Sequence, residues 1–243
     1  MAGHSHWANI KRQKGANDKR RGKVWSKISR KIIIAAKGGG DPRDNLSLRY
    51  VIDEARAANM PRDTIQNAIK KGTGELGTEN YEAVQYEGYG PHGAAVMIDG
   101  LTNNRARTAA ELRMIFERNG GNLATSGSVA FQFAKRGVIT IRADSVNEDR
   151  LMELALEAGA EDVTNEGEAF IVLTTPTALH KIRDAITAAD IAIEASEITH
   201  MPTATVEVDS ETGRRILKLL DDLEDNDDVQ SVAHNAQLPE LVG

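Results

Sequence analysis

The sequence predicts an α+β protein with an N-terminal three-helix bundle followed by two α/β domains, the last of them ferredoxin-like and inserted in the other. Three observations carry this. Helix-period apolar stripes with stop signals fill the first seventy or so residues, and after Gly72-Thr73-Gly74 the period shortens to strand alternation. From Val138 to Ile198 the order is strand, helix, strand, strand, helix, strand, the split βαβ arrangement. The expected domains are 1–76 (basic and helical), 77–134 plus 204–243 (discontinuous α+β), and 135–203 (inserted, ferredoxin-like).

Residues 1–17 carry Lys11, Arg12 and Lys14 among small and polar residues without an apolar period, and read as a flexible arm. A helix is expected over 18–37, with Val24, Ile28, Ile32 and Ala35 inward and Gly38-Gly39-Gly40 as its stop. Asp44 is the expected N-cap of a second helix, which buries Leu48, Val51, Ile52 and Ala55 and ends near Asn59. Pro61 and Asp63 suit the first turn of a third, with Ile65, Ala68 and Ile69 inward and Gly72 closing it.

Strands are expected at 81–86 and 94–98, joined by the turn Gly88-Tyr89-Gly90-Pro91-His92-Gly93. Thr108 with Glu111 reads as a capping box for a helix burying Leu112, Ile115 and Phe116, and a strand is expected at 129–133. The inserted unit is expected as strand 138–141, helix 148–158, a strand near Val163, strand 169–173, helix 178–188 and strand 191–198. The remainder, a strand at 205–208, a helix around 216–223 and a strand at 229–233, is too small to bury a core alone. It is expected to return to the domain begun at Tyr81.

Charge separates along the chain. Residues 1–71 hold 17 Lys and Arg against 6 Asp and Glu, a net of +11, and the rest hold 13 against 30, a net of −17. One portion built to meet a polyanion and a remainder built for solubility produces this asymmetry. Lys11, Arg12, Lys14, Lys19, Arg20, Arg21, Lys23, Lys27, Arg30 and Lys31 are therefore the expected phosphate contacts. Their affinity for duplex DNA falls with salt at a slope of about −0.9 per phosphate neutralised. Trp7, outside any apolar period, is a candidate to stack on an unpaired base, whereas Trp25 lies beside the helix stripe and is read as core. Arg105 and Arg107, near a helix N-terminus, are candidates for a second anion contact, with pairing to local acids as the equal alternative.

The second and third helices are spaced to imitate a helix-turn-helix, with Gln66, Asn67, Lys70 and Lys71 on the outer face of the third. Gly88 to Gly93 match the dinucleotide fingerprint in letters, but a strand rather than a helix follows, so the segment is read as a hairpin turn. Glu224 to Asp228 lack the glycine an EF-hand requires and are read as a solvated acidic turn. Without cysteine there are no disulfides, thiol nucleophiles or thiolate metal sites, and no Gly-x-Ser-x-Gly, His-Glu-x-x-His or Walker segment occurs. No catalytic residue, cofactor or metal is expected. No apolar run reaches membrane-spanning length, so a cytoplasmic protein with no membrane partner is expected. A monomer is the expectation, although nothing in the residues fixes the oligomeric state.

Several segments together resemble the YebC/PmpR family. They are Ala2-Gly3-His4-Ser5 with Trp7 to Lys11, Ala58 to Asp63, Tyr86 to Pro91, Leu101 to Arg105 with Arg107-Thr108, and Gly120 to Leu123 leading to Ser126-Gly127-Ser128-Val129. His6 stands where a lysine is usual, and Asn103 where an aspartate is. The resemblance implies three domains around a cleft, the middle one from two chain segments, and a DNA-binding transcriptional regulator. Similar mitochondrial proteins are translational activators, and some bacterial relatives associate with ribosomes to relieve stalling. A ribosome-bound translation factor contacting ribosomal RNA is thus the alternative reading. A basic arm suits either target, because phosphate contacts position a protein without reading sequence.

Overall fold

The computed structural model describes residue 7 and residues 21–77 and 79–238, which divide into two compact units. One holds residues 21–126 and 214–232, the other Trp7, residues 127–213 and residues 233–238.

The first unit begins with α1 (Arg21–Ala36), α2 (Leu46–Ala57) and α3 (Arg62–Thr73). Ile28, Ile32, Ile33 and Ala36 of α1 pack with Leu48, Ile52 and Ala55 of α2 and with Ile65, Ala68 and Ile69 of α3. The apolar face of α1 is turned slightly from the expected stripe, so Val24 and Ala35 lie at its margin. Asn45, not Asp44, caps α2: its Oδ1 accepts from the Leu48 N–H at 3.0 Å. Its Nδ2 donates to the carbonyls of Ala35 at 2.7 Å and Gly39 at 2.8 Å. An amide can be acceptor and donor at once, and a carboxylate cannot.

Gly72 does not close α3, which continues to Thr73 and ends at Gly74 in the left-handed region, φ 87°. The role of Gly72 is closeness. A Cβ there would lie 2.5 Å from the Ile33 carbonyl oxygen and 2.6 Å from Ala36 Cβ, so α3 and α1 approach backbone to backbone. Main-chain contact with α1, rather than with α2, dominates the packing of α3.

The unit's sheet has the order β3-β1-β2-β9, from β1 (Glu82–Tyr89), β2 (Ala95–Thr102), β3 (Asn122–Leu123) and β9 (Val229–His234). β1 and β2 form the expected hairpin, with Tyr89 opposite Ala95 and a single 3-10 turn, Pro91–Gly93, in the loop between them. The return of β9 to β2 completes the sheet with a strand from the far end of the chain. α4 (Arg105–Arg118) buries Leu112 and Phe116 against it. Its cap is Asn104, whose Oδ1 accepts from the Arg107 N–H at 3.1 Å. Thr108 is therefore inside the helix and buried, not the cap that its spacing to Glu111 suggested. α7 (Ser210–Glu224) leads into β9.

The second unit contains β4 (Phe133–Arg142), α5 (Glu148–Ala158), β5 (Asp162–Asn165), β6 (Ala169–Thr174), α6 (Leu179–Ala188) and β7 (Ala195–Pro202). The sheet order β5-β6-β4-β7, antiparallel throughout, is the ferredoxin-like arrangement. Ile139, Ile141, Phe170 and Val172 meet Leu151 and Ala155 of α5 and Leu179, Ile182 and Ile186 of α6. In chain order these elements fall between β3 and β9, so the ferredoxin-like part is an insertion. A short parallel pair, β8 (Val206–Glu207) with β10 (Ala236–Gln237), completes the unit.

Two expected strands shift. Residues 130–132 form a 3-10 turn, and pairing starts at Phe133. Asp190 has φ 60°, and Ile191 drops into the core from a loop, so β7 begins at Ala195 rather than Ile191.

Candidate nucleic-acid interface

Lys11, Arg12, Lys14, Lys19 and Arg20 lie outside the described residues, as does the side chain of Arg21. The described cations of α1 are engaged within their own unit. Lys23, Lys27 and Arg30, at helical spacings of four and three, face the acidic segment Glu224 to Asp228. Lys27 Nζ donates to the Glu224 carbonyl at 2.7 Å, and Lys23 Nζ donates to the Asp225 carbonyl at 3.0 Å, with its carboxylate 3.7 Å away. The last carbonyls of a helix have no partner within it and carry the negative end of its dipole. Lys23 and Lys27 supply that partner for α7. Burial pushes the Lys27 ammonium down to about 8, against the opposing pull of Glu224, Asp227 and Asp225.

Asp228 is the centre of this contact and is 2% exposed. Its Oδ2 accepts from Thr108 Oγ1 at 2.7 Å, Arg107 Nη2 at 2.7 Å and Thr102 Oγ1 at 3.0 Å. Arg30 Nη2 lies 3.5 Å from Oδ1, and the Arg30 guanidinium also lies over the Tyr81 ring, 5.5 Å from its centroid. Burial alone would raise the Asp228 pKa, but the hydrogen bonds from Thr108, Arg107 and Thr102 outweigh it and hold the carboxyl below its ordinary value. Main-chain bonding adds a further tie, the Leu101 N–H donating to the Asp228 carbonyl at 2.8 Å. The acidic run is thus a structural anchor and not a solvated turn. Its charges are held because helix cations and threonine hydroxyls converge on them, a convergence invisible in a linear run of Asp and Glu.

The other expected contacts are similarly placed. Lys31 pairs with Glu54 at 2.8 Å. Arg105 pairs with Glu82 at 2.9 Å, and its carbonyl accepts from Tyr86 OH at 3.1 Å. Arg107 divides its guanidinium between Asp228 and Asn103 Oδ1, the latter at 3.2 Å. For these two arginines the pairing with local acids is the arrangement found. Trp7 is half-buried, its indole N–H donating to Glu168 Oε2 at 3.1 Å and its main-chain N–H lying 3.4 Å from Glu166 Oε2. Trp25 packs against the helical core and donates to the Ala58 carbonyl at 3.0 Å.

One basic face is left open. On α3 the residues outside the buried stripe of Ile65, Ala68 and Ile69 include Arg62, at its edge, and Asp63, Gln66, Asn67 and Lys70, all exposed. Among the described residues the Arg62 and Lys70 side chains have no ion-pair partner, whereas Lys71 is held by Glu79 at 2.6 Å. Arg62, at the start of the helix after Pro61, is not among the expected contacts. Its spacing of four to Gln66 and eight to Lys70 was the available signal. Among the described residues no group of His, Asp or Glu is arranged to hold a metal ion, and no helix is long and apolar enough to cross a membrane.

Two family models match the chain: the TACO1/YebC protein N-terminal domain over residues 5–75 and the TACO1/YebC second and third domain over residues 81–236. A relative from Acidithiobacillus ferrooxidans is 52% identical over 97% of this chain and 94% of its own length. One from Natranaerobius thermophilus is 47% identical over 97% and 96% respectively. Both are named probable transcriptional regulatory protein. The crystal structure of a conserved hypothetical protein from Aquifex aeolicus matches with a TM-score of 0.85 at 44% identity, covering 93% of each chain.

Proposed function

The chain belongs to the TACO1/YebC family, and we propose that it regulates gene expression by binding nucleic acid, as a DNA-binding transcriptional regulator. The observation that carries this reading is the segregation of charge, +11 within residues 1–71 against −17 in the remainder. A surface serving solubility alone would intersperse both signs. The names of the relatives support the regulatory role. In this reading the arm cations Lys11, Arg12, Lys14, Lys19, Arg20 and Arg21 take the phosphates, joined by helical residues that internal acids leave free. No residue has a catalytic role, and the chain acts without a cofactor in the cytoplasm.

The test is co-sedimentation of the full chain with ribosomes at about 0.15 M salt, the physiological range, with and without excess duplex DNA. Release of the protein by DNA is the expected outcome. Retention on ribosomes despite the DNA would assign the basic segment to ribosomal RNA and make the protein a translation factor.

A further inference from the structure

We propose that the outer face of α3 is the groove-reading surface of this protein, docking in the major groove of duplex DNA with Arg62 and Lys70 on phosphates at its two walls. The inference rests on the DNA-binding reading above and names the face that performs it. The described cations of α1 are committed elsewhere: Lys23 and Lys27 cap α7, Arg30 meets Asp228, and Lys31 meets Glu54. Withdrawing them would leave the buried carboxylate of Asp228 and the end of α7 uncompensated. Among the described residues Arg62 and Lys70 carry no such obligation.

The geometry of α3 fits the role. Arg62 and Lys70 are eight residues apart, about 12 Å along a helix rising about 1.5 Å per residue. Between them the exposed amides of Gln66 and Asn67 are of the kind that pairs with the N6 and N7 edge of adenine. The helix is held rigidly from behind, with Ile65, Ala68 and Ile69 in the core and Gly72 against the α1 backbone. Asp63 shares the face and opposes a phosphate, leaving a net of +1 on the five residues. A face with so little net charge gains from a groove, where side chains reach bases as well as phosphates, more than from a bare backbone. The A-form major groove of duplex RNA is too narrow to admit a helix, which selects DNA.

The experiment is fluorescence anisotropy of the full chain with a labelled mixed-sequence DNA duplex across about 50–200 mM salt, for wild type, the double variant Arg62→Ala with Lys70→Ala, and Asp63→Asn. Circular dichroism melting accompanies each variant; all three positions are exposed, so each variant should stay folded, with only a small drop for Asp63→Asn, whose charge favours the first turn of α3. The double variant should bind more weakly and lose about 1.8 from the slope of log K against log salt, two phosphates at about 0.9 each. Asp63→Asn should bind more tightly. Wild-type affinity and slope in the double variant would overturn the assignment to α3 while leaving DNA binding intact. An unlabelled RNA duplex of the same sequence competing as well as DNA would overturn the groove assignment. A wild type that binds no duplex at all would overturn the DNA-binding reading, and this one with it.

Discussion

Lys27 Nζ sits 2.7 Å from the carbonyl oxygen of Glu224, so a side chain from the first described helix completes the last turn of α7. A hydrogen bond from a charged donor contributes about 1.5–3 kcal/mol, and removing it leaves a helix-end carbonyl without its partner. Lys27→Ala is expected to lower unfolding free energy by about 1 kcal/mol at pH 10.5, where the desolvation penalty is gone and only the hydrogen bond is lost, read by urea titration. Lys27→Arg is expected to recover only part of it, because the buried site is shaped to a compact ammonium.

The same lysine has a pH signature. Its pKa falls from 10.5 when unfolded to about 8 when folded, because burial penalises the charge. Between those values the unfolded state binds more protons, so stability rises with pH through that window; the penalty is complete below about 8 and gone above 10.5. The stability of wild type relative to Lys27→Met should therefore increase on going from pH 7.5 to 10.5, by on the order of 2–3 kcal/mol. A flat difference would show that the ammonium is not desolvated.

Asp228 behaves in the opposite sense. Its folded pKa lies below the ordinary 3.8, so its contribution is present above that pH and lost as pH falls through the folded value. Asp228→Asn keeps the shape but leaves the half-buried Arg30 guanidinium and the exposed Arg107 guanidinium short of their counter-charge at a buried site. A loss of about 3 kcal/mol at pH 7 is expected, measured by chemical denaturation. The gap between wild type and variant should narrow only below about pH 4.

Two glycines of the helical bundle should respond oppositely to alanine. At Gly72 the new Cβ would meet the Ile33 carbonyl at 2.5 Å, and backbone cannot yield cheaply, so Gly72→Ala should cost about 2–3 kcal/mol. At Gly22, exposed in α1, nothing lies within 4 Å, and Gly22→Ala should stabilise by roughly 0.5–1 kcal/mol through helix propensity. Thermal melting of both variants checks the pair.

Asn45 separates two functions in one side chain. Asn45→Asp keeps the acceptor for Leu48 N–H but removes the donors to Ala35 and Gly39, and Asn45→Ala removes both. The expected losses are about 1 and about 2 kcal/mol respectively, measured by thermal unfolding.

Helices and sheet order were legible because they depend on local periodicity and on the order of elements. Ile65, Ala68 and Ile69 are buried as their spacing implied, and α5 spans the expected residues. Asn45 and Asn104 displaced the expected caps Asp44 and Thr108, since chain context, not spacing, decides which polar side chain turns back to the helix. The role of the basic helix was less legible. Lys23 and Asp225 are 202 positions apart, and no pattern along a sequence ties a lysine to a particular distant carbonyl. Charge counting found the basic segment, but only packing shows that Lys23, Lys27 and Arg30 serve the fold, while Arg62 and Lys70, which contribute little to the count, stay open.

The bond from Lys27 to Glu224 also sets an order of events during synthesis. Its two ends are separated by 197 residues, which a ribosome adding about 5–20 residues per second takes about 10–40 s to deliver. The helical bundle can gather its apolar core long before that. Through the whole interval Lys23, Lys27 and Arg30 lack the acidic segment that engages them in the finished fold. Arrival of the acidic segment at 224–228 therefore engages Lys23, Lys27 and Arg30 late, while Arg62 and Lys70 on α3 stay without an ion-pair partner among the described residues.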